Sequence, residues 1–234
     1  MVMRQALQDG LIESNPVSAV ARPKPEQPPG RVPDAAQVRA FLVATAGSEW
    51  EIPMLLAATT GARRSEVLAL RWSDVSLDGR VTIRRGLHRL PSGELGFLDP
   101  KSDTARRTVP LLPVVAQRLR AWRTEQVARR LALADEWRDL DLVCERGDGL
   151  PLDPDAMTKA FKRLAHRAGL DPSTTLHGLR HAFCTELGRR NVHPKIVSTL
   201  AGHSDPAFTM RVYQHAWSEG ADEAAAALSE ALDL

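Results

Sequence analysis

Five prolines, Pro23, Pro25, Pro28, Pro29 and Pro33, stand close together ahead of any long apolar pattern, and they set the first limit on this chain. Each fixes its own φ, removes a backbone donor and turns the preceding residue away from helical geometry. Arg22 to Pro33 shows no apolar periodicity, so it is expected to be a stiff extended linker and to hold a domain boundary. Residues 1–21 read as the end of a helix broken at Gly10, then Leu11-Ile12 as an anchor and an Asn15-Pro16 turn, too little for a domain. Beyond the linker, Asp34 with Gln37 three residues on has the form of a capping box, and Val38, Phe41, Leu42 and Thr45 follow at helical spacing. The globular part is therefore expected to run over 34–234.

Within it a helix is expected over Glu51 to Thr60, broken at Gly61 and resumed through Ser65 to Leu70. Alternation at Val81-Thr82-Ile83, Leu95 to Leu98 and Thr108-Val109, with a Pro91-Ser92-Gly93 turn, predicts three short antiparallel strands and makes Lys101 to Ala105 a hairpin tip. The rest reads as helices at Val114–Ala134, Asp155–Ala168, His177–Arg189, Pro194–Ala201, Pro206–His215 and Asp222–Leu232. The fold class is thus mainly α with a small antiparallel β-sheet, an α+β arrangement. No apolar run approaches membrane-spanning length and no signal-peptide apolar region precedes the first charges, so a cytoplasmic protein without a membrane partner is expected. Cys144 and Cys184 lack metal-ligand spacing and sit among apolar neighbours, which points to free buried thiols.

A net charge of +2 argues little for a nucleic-acid partner, but it averages over a marked asymmetry. Thr60 to Arg130 holds 15 Arg or Lys against 7 Asp or Glu, whereas His215 to Leu234 holds 5 acidic residues and no Lys or Arg. A basic face and an acidic tail follow, although solvated helix faces would give the same counts.

Three clusters carry chemistry. In Leu176-His177-Gly178-Leu179-Arg180-His181, His177 and Arg180 stand i, i+3 and can face one pocket. His177 and His181 stand i, i+4, the spacing of a two-histidine zinc site, but Gly178 occupies the place of a zincin's general-base Glu and no third ligand is near. No metal is expected, and His181 reads as a core or supporting residue. In Ala201-Gly202-His203-Ser204-Asp205-Pro206, His203 lies in a turn between helices, with Tyr213 one or two turns into the second; alone, this also looks like a helix-turn-helix, and His203 reads first as a turn residue capping a helix end. In Thr60-Gly61-Ala62-Arg63-Arg64-Ser65-Glu66, Glu66 is spaced to hold the Arg63 guanidinium, against which a surface ion pair is the plain alternative. Two arginines, a hairpin lysine, two histidines and a phenol together are what attack on a phosphodiester requires: forks for the phosphoryl oxygens, a proton donor and a nucleophile.

The stretches Thr60 to Asp74, Lys101 to Leu111, His177 to His181 and Ala201 to His215 resemble, in order and spacing, the successive motifs of tyrosine recombinases of the phage-integrase type. The resemblance runs from Asp34 to about His215. It implies that Arg63 and Arg180 clamp the phosphate, that Lys101 is the hairpin general acid, and that His177 and His203 support the reaction, with Glu66 and His181 behind them. Tyr213, the single tyrosine of the chain, would be the nucleophile. Gly178 stands where many members have Asp, and Ala201 where Gly is frequent. Members carry a helical core-binding domain ahead of the linker, and residues 1–21 resemble only its last piece, so an N-terminally truncated chain is expected.

The resemblance implies cleavage and rejoining of double-stranded DNA through a 3′-phosphotyrosyl intermediate without cofactor, by a chain that is monomeric alone and tetrameric on DNA. It places the chain in the bacterial or phage-derived world, on the nucleoid when bound. Competing readings are a non-enzymatic helix-turn-helix regulator, a decayed integrase, and relaxation of supercoils without exchange.

Overall fold

The structure is a computed structural model that describes residues 2–20, 30–76, 78–99, 106–202 and 229. Helix α1 (Val2–Gln8) ends before Gly10, whose φ of 70° is left-handed, and a 3-10 turn follows at Pro16–Ala19, capped by the Asn15 side chain. Of the expected Leu11-Ile12 anchor, Leu11 is 76% exposed and Ile12 is partly buried. The linker residues 21–29 lie outside the described residues.

Helix α2 (Ala35–Thr45) begins with the full reciprocal capping box of Asp34 and Gln37. Helix α3 (Glu51–Thr60) stops at Gly61, where φ is 63°, and α4 (Arg64–Leu68) starts three residues later. A side chain at Gly61 would be strained by that φ, and its Cβ would meet the Phe183 ring at 2.5 Å. Helix α5 (Pro113–Leu133) buries one narrow stripe, Val115, Leu119, Trp122 and Gln126, and Trp122 donates to the Val143 carbonyl at 2.8 Å. In α6 (Pro154–Arg167), Met157, Ala160, Phe161, Leu164 and Ala165 recur at helical spacing and form one buried face. Helices α7 (Leu176–Arg189) and α8 (Pro194–Ala201) complete the described set, α8 closing on Gly202 at φ 67°. Helix α7 packs on α3, while α8 packs on α7.

The described residues hold five strands rather than three: β1 (Val75–Ser76), β2 (Arg80–Ile83), β3 (Gly86–Arg89), β4 (Leu95–Leu98) and β5 (Arg107–Pro110). They form two antiparallel sheets, β1-β2-β5 with Val81 opposite Val109, and the hairpin β3-β4 with Leu87 opposite Phe97. The described strands on either side of Lys101 to Ala105, β4 and β5, pair with β3 and β2; the expected hairpin tip itself lies outside the described residues. The extra strands escaped the sequence because Gly86 to Arg89 lacks apolar alternation and Val75-Ser76 is too short for any.

The core gathers Phe41, Ile52, Met54, Leu56, Leu68, Leu119, Met157, Phe161 and Leu179, with the Phe41 and Phe161 rings 5.3 Å apart. Cys144 and Cys184 are free and buried, as read; burial pushes both thiols up, Cys184 to about 11. Among the described residues no helix is long and apolar enough to cross a membrane.

Candidate active site

Glycine punctuation builds this site. Gly61 ends α3 in the left-handed region, which turns the chain sharply and presents Arg63 at the N-terminus of α4. There Arg63 meets Glu66 twice: its backbone N–H donates to Oε2 at 2.7 Å and its Nη1 donates to Oε1 at 2.8 Å. The pair is not the surface contact that spacing alone allows, because the Glu66 side chain is only 9% exposed. On its far side Glu66 takes a second guanidinium, that of Arg107 from β5, at 2.7 and 3.2 Å. Burial opposes ionisation of Glu66, but Arg107 and Arg63 outweigh it and hold the carboxyl below its ordinary range.

Arg180, the fifth residue of α7, is buried and anchored by Nη1 to the Gly61 carbonyl at 2.6 Å. Its Nη2 is buried without a partner among the described residues. Burial, then the charges of Arg63 and Arg107, lower its pKa to about 10, so it stays cationic at neutral pH. One turn earlier, His177 is partly buried; that burial and the charges of Arg180 and Arg63 lower its pKa, which favours the neutral ring. His181 stacks edge to face on it, ring centroids 4.7 Å apart, and burial first and His177 second lower its pKa to about 4. Thr175 caps this end of α7 by accepting from the Gly178 N–H. Among the described residues no cluster of three metal-ligating side chains occurs.

Arg63, His177 and Arg180 line one cleft with Ala57, Ala62, Thr158 and Thr175. A second cleft opens beside it between β3 and the start of α6, bordered by Arg63, His88, Arg89, Asp155 and His177. The sequence places Arg63 and Arg180 117 positions apart; the α3–α7 packing brings them together. Two guanidiniums and a neutral imidazole around one cleft can neutralise the non-bridging oxygens of a phosphodiester and exchange a proton with it. Arg64 borders both clefts too, but its guanidinium is engaged by α6: its Nη1 donates to the Pro154 carbonyl at 3.0 Å and to Thr158 Oγ1 at 2.6 Å, clasping α4 to α6. Lys101, His203 and Tyr213 lie outside the described residues.

Arg107 and the carbonyls of Gly61 and Gly202 went unsingled in the sequence. A signal for Arg107 was available: in Arg107-Thr108-Val109-Pro110 alternation puts Arg107 on the side of Val109, and an inward arginine on a strand demands a buried acid.

Residues 33–219 match the family model of the phage integrase family, and the chain belongs to that family. An integrase of Streptomyces ambofaciens is 32% identical over 205 residues, 81% of this chain and 51% of the relative. A XerC-like tyrosine recombinase of Caldanaerobacter subterraneus subsp. tengcongensis is 26% identical over 230 residues, 90% of this chain and 58% of the relative. The chain thus spans little more than half the length of these curated relatives. In fold it is similar to the Tn1549 transposon integrase solved with transposon right end DNA, at 23% identity and a TM-score of 0.75 over 99% of this chain and 75% of that one.

Proposed function

We propose that this chain is the catalytic part of a tyrosine site-specific recombinase, which breaks and rejoins double-stranded DNA through Tyr213. The observation that carries this reading is the convergence of Arg63, His177 and Arg180 on one cleft, with Glu66 ionised behind Arg63. Arg63 and Arg180 hold the non-bridging oxygens of the scissile phosphate as charge develops on them. His177 and His203 bind the same phosphate and assist proton movement around it. The Tyr213 oxygen attacks phosphorus, the bond to the 5′-oxygen breaks, and Lys101 delivers a proton to that leaving oxygen. A 3′-phosphotyrosyl bond and a free 5′-hydroxyl result. Attack by another 5′-hydroxyl reverses the step and releases tyrosine, so the bond energy is retained and no nucleotide cofactor is consumed.

Residues 1–21 are in this reading the last piece of a core-binding domain and 22–33 its linker to the catalytic domain. The protein is a monomer alone, assembles as a tetramer on DNA, and works in the cytoplasm on the nucleoid. What supports the DNA partner is the basic middle of the chain and a relative of like fold solved with transposon DNA.

The test is a library of duplexes randomised around one bridging 5′-phosphorothiolate, a leaving group that traps the covalent intermediate. Protein should become attached to the 3′ side of the break, and Tyr213→Phe should abolish the adduct while DNA binding stays within about twofold, since only the nucleophilic oxygen is lost. An adduct that survives Tyr213→Phe, or no adduct from the unaltered protein, overturns the proposal; intact binding with no adduct favours a regulator.

A further inference from the structure

We propose that Arg107 is a positioning residue of this site, aligning the Glu66 carboxylate against Arg63 and tying the last turn of α8 to that same carboxylate. The inference rests on the recombinase reading for its effect on cleavage, and on geometry alone for the tie itself.

Arg107 opens β5 facing inward, and its side chain is 2% exposed. Among the described residues its guanidinium is divided between two elements. Nη1 and Nη2 donate to the two oxygens of Glu66, and Nε donates to the Leu200 carbonyl in the last turn of α8 at 2.7 Å. Arg63 does the complementary thing from the other side of the carboxylate: Nη1 on Glu66, Nη2 on the Gly202 carbonyl at 3.0 Å. The contacts close into a ring that runs from Arg63 through Glu66 and Arg107 to the end of α8, and back through Gly202 to Arg63. Gly202 has the conformation and the bareness this needs, since a Cβ there would meet Arg107 Nη1 at 2.6 Å.

Two consequences follow from the ring. A buried carboxylate facing Arg63 alone would have fewer donors to hold it ionised and in one orientation, and a loosely held Glu66 leaves Arg63 free to leave the cleft. The chain that continues to His203 departs from a turn whose place relative to Arg63 is fixed by both arginines. Lysine cannot substitute, because a single ammonium on a flexible stem does not span both Glu66 oxygens and a carbonyl of another helix.

The experiment compares the unaltered chain with Arg107→Lys and with the double variant Glu66→Leu/Arg107→Leu, which removes the buried pair together so that folding is retained. Hydrogen exchange is followed by mass spectrometry on peptides covering 196–202 and, as internal reference, on peptides from α3 and α6. The rate constant for adduct formation is measured at saturating concentration of a duplex recovered from the phosphorothiolate library, alongside affinity for that duplex. Arg107→Lys should speed exchange at 200–202 at least tenfold with α3 and α6 unchanged. It should also slow adduct formation on the order of 100-fold with affinity nearly unchanged, as expected when reacting groups are misplaced by about 1 Å. The double variant should stay folded and stay slow. Unchanged exchange at 200–202, or wild-type cleavage by either variant, overturns the inference. If no protein forms an adduct, the recombinase reading fails, and exchange alone then upholds or overturns the tie.

Discussion

Arg180 Nη1 donates to the Gly61 carbonyl at 2.6 Å, joining the body of α7 to the left-handed turn that ends α3. The bond fixes one corner of a buried guanidinium and leaves Nη2 without a partner among the described residues. A buried cation held this way gains from an anion brought into the cleft. Inorganic phosphate should therefore raise the melting temperature, by an amount equivalent to about 1.4 kcal/mol at tenfold its Kd. The rise should vanish in Arg180→Gln. Thermal scans in phosphate and in chloride at equal ionic strength check this, and equal melting temperatures in the two would refute it.

Neighbouring arginines should separate cleanly. Arg63→Ala is expected to lower adduct formation by roughly 100- to 1,000-fold, the scale for losing one donor to a developing oxyanion. Arg64→Ala should leave cleavage within a few fold but cost about 1 kcal/mol of stability or somewhat more, because its bonds to Pro154 and Thr158 hold α4 on α6. Denaturant titration and adduct assays on both variants check the pair of outcomes, and the reverse ranking would reassign the arginines.

Acid should weaken the fold in a window set by the stacked histidines. Burial and neighbouring charge lower the pKa of His181 to about 4 and also depress His177. In the unfolded chain both titrate near 6.5. Between these values the unfolded chain binds protons that the folded chain refuses, so stability is level above about pH 6.5 and falls as pH drops toward 4. Glu66, whose folded pKa is lowered, adds its own loss only below its unfolded value of 4.5. Denaturant midpoints at pH 8, 6.5, 5.5 and 4.5 should trace the fall, and His181→Gln should flatten it. A level profile in the unaltered chain would contradict the assignment.

DNA binding should be weak and steeply dependent on salt. In the proposed function the basic stretch from Thr60 to Arg130 would supply the phosphate contacts, each adding about −0.9 to the slope of log K against log salt. Fluorescence anisotropy on a generic duplex between about 50 and 200 mM salt checks it, a range over which 6–10 contacts would cost on the order of 10³- to 10⁵-fold. Tight binding that ignores salt would show that the basic face is not the interface.

Much of the framework was legible because local chemistry dictated it. The Asp34–Gln37 box, the break at Gly61 and the span Pro194–Ala201 each follow from a few adjacent residues, and α2, α3 and α8 lie where those residues put them. Arg63 with Glu66 and His177 with Arg180 were likewise legible, as i, i+3 pairs on single elements. What escaped is what only tertiary packing decides. Pairing of β4 with β3 and of β5 with β2 depends on partners that no short window contains. Arg107 belonged to a motif by spelling, but its closure on Glu66 across 41 positions of sequence is a product of the fold. The carbonyls of Gly61 and Gly202 belong to the backbone, which sequence patterns describe only as a place where a helix stops.

The residues ahead of α2 lean on the loop before α7. The Arg31 N–H donates to Ser173 Oγ at 3.1 Å, its guanidinium reaches Asp171 at 3.5 Å, and Pro33 is buried. A Cβ placed on Gly178, in the first turns of α7, would find the Arg31 carbonyl and Pro33 as neighbours at 3.7 Å. The incoming segment is thus a lever whose fulcrum is the turn in front of His177. Any load hung ahead of residue 30 pulls first on the helix that carries His177 and Arg180, and only afterwards on α2.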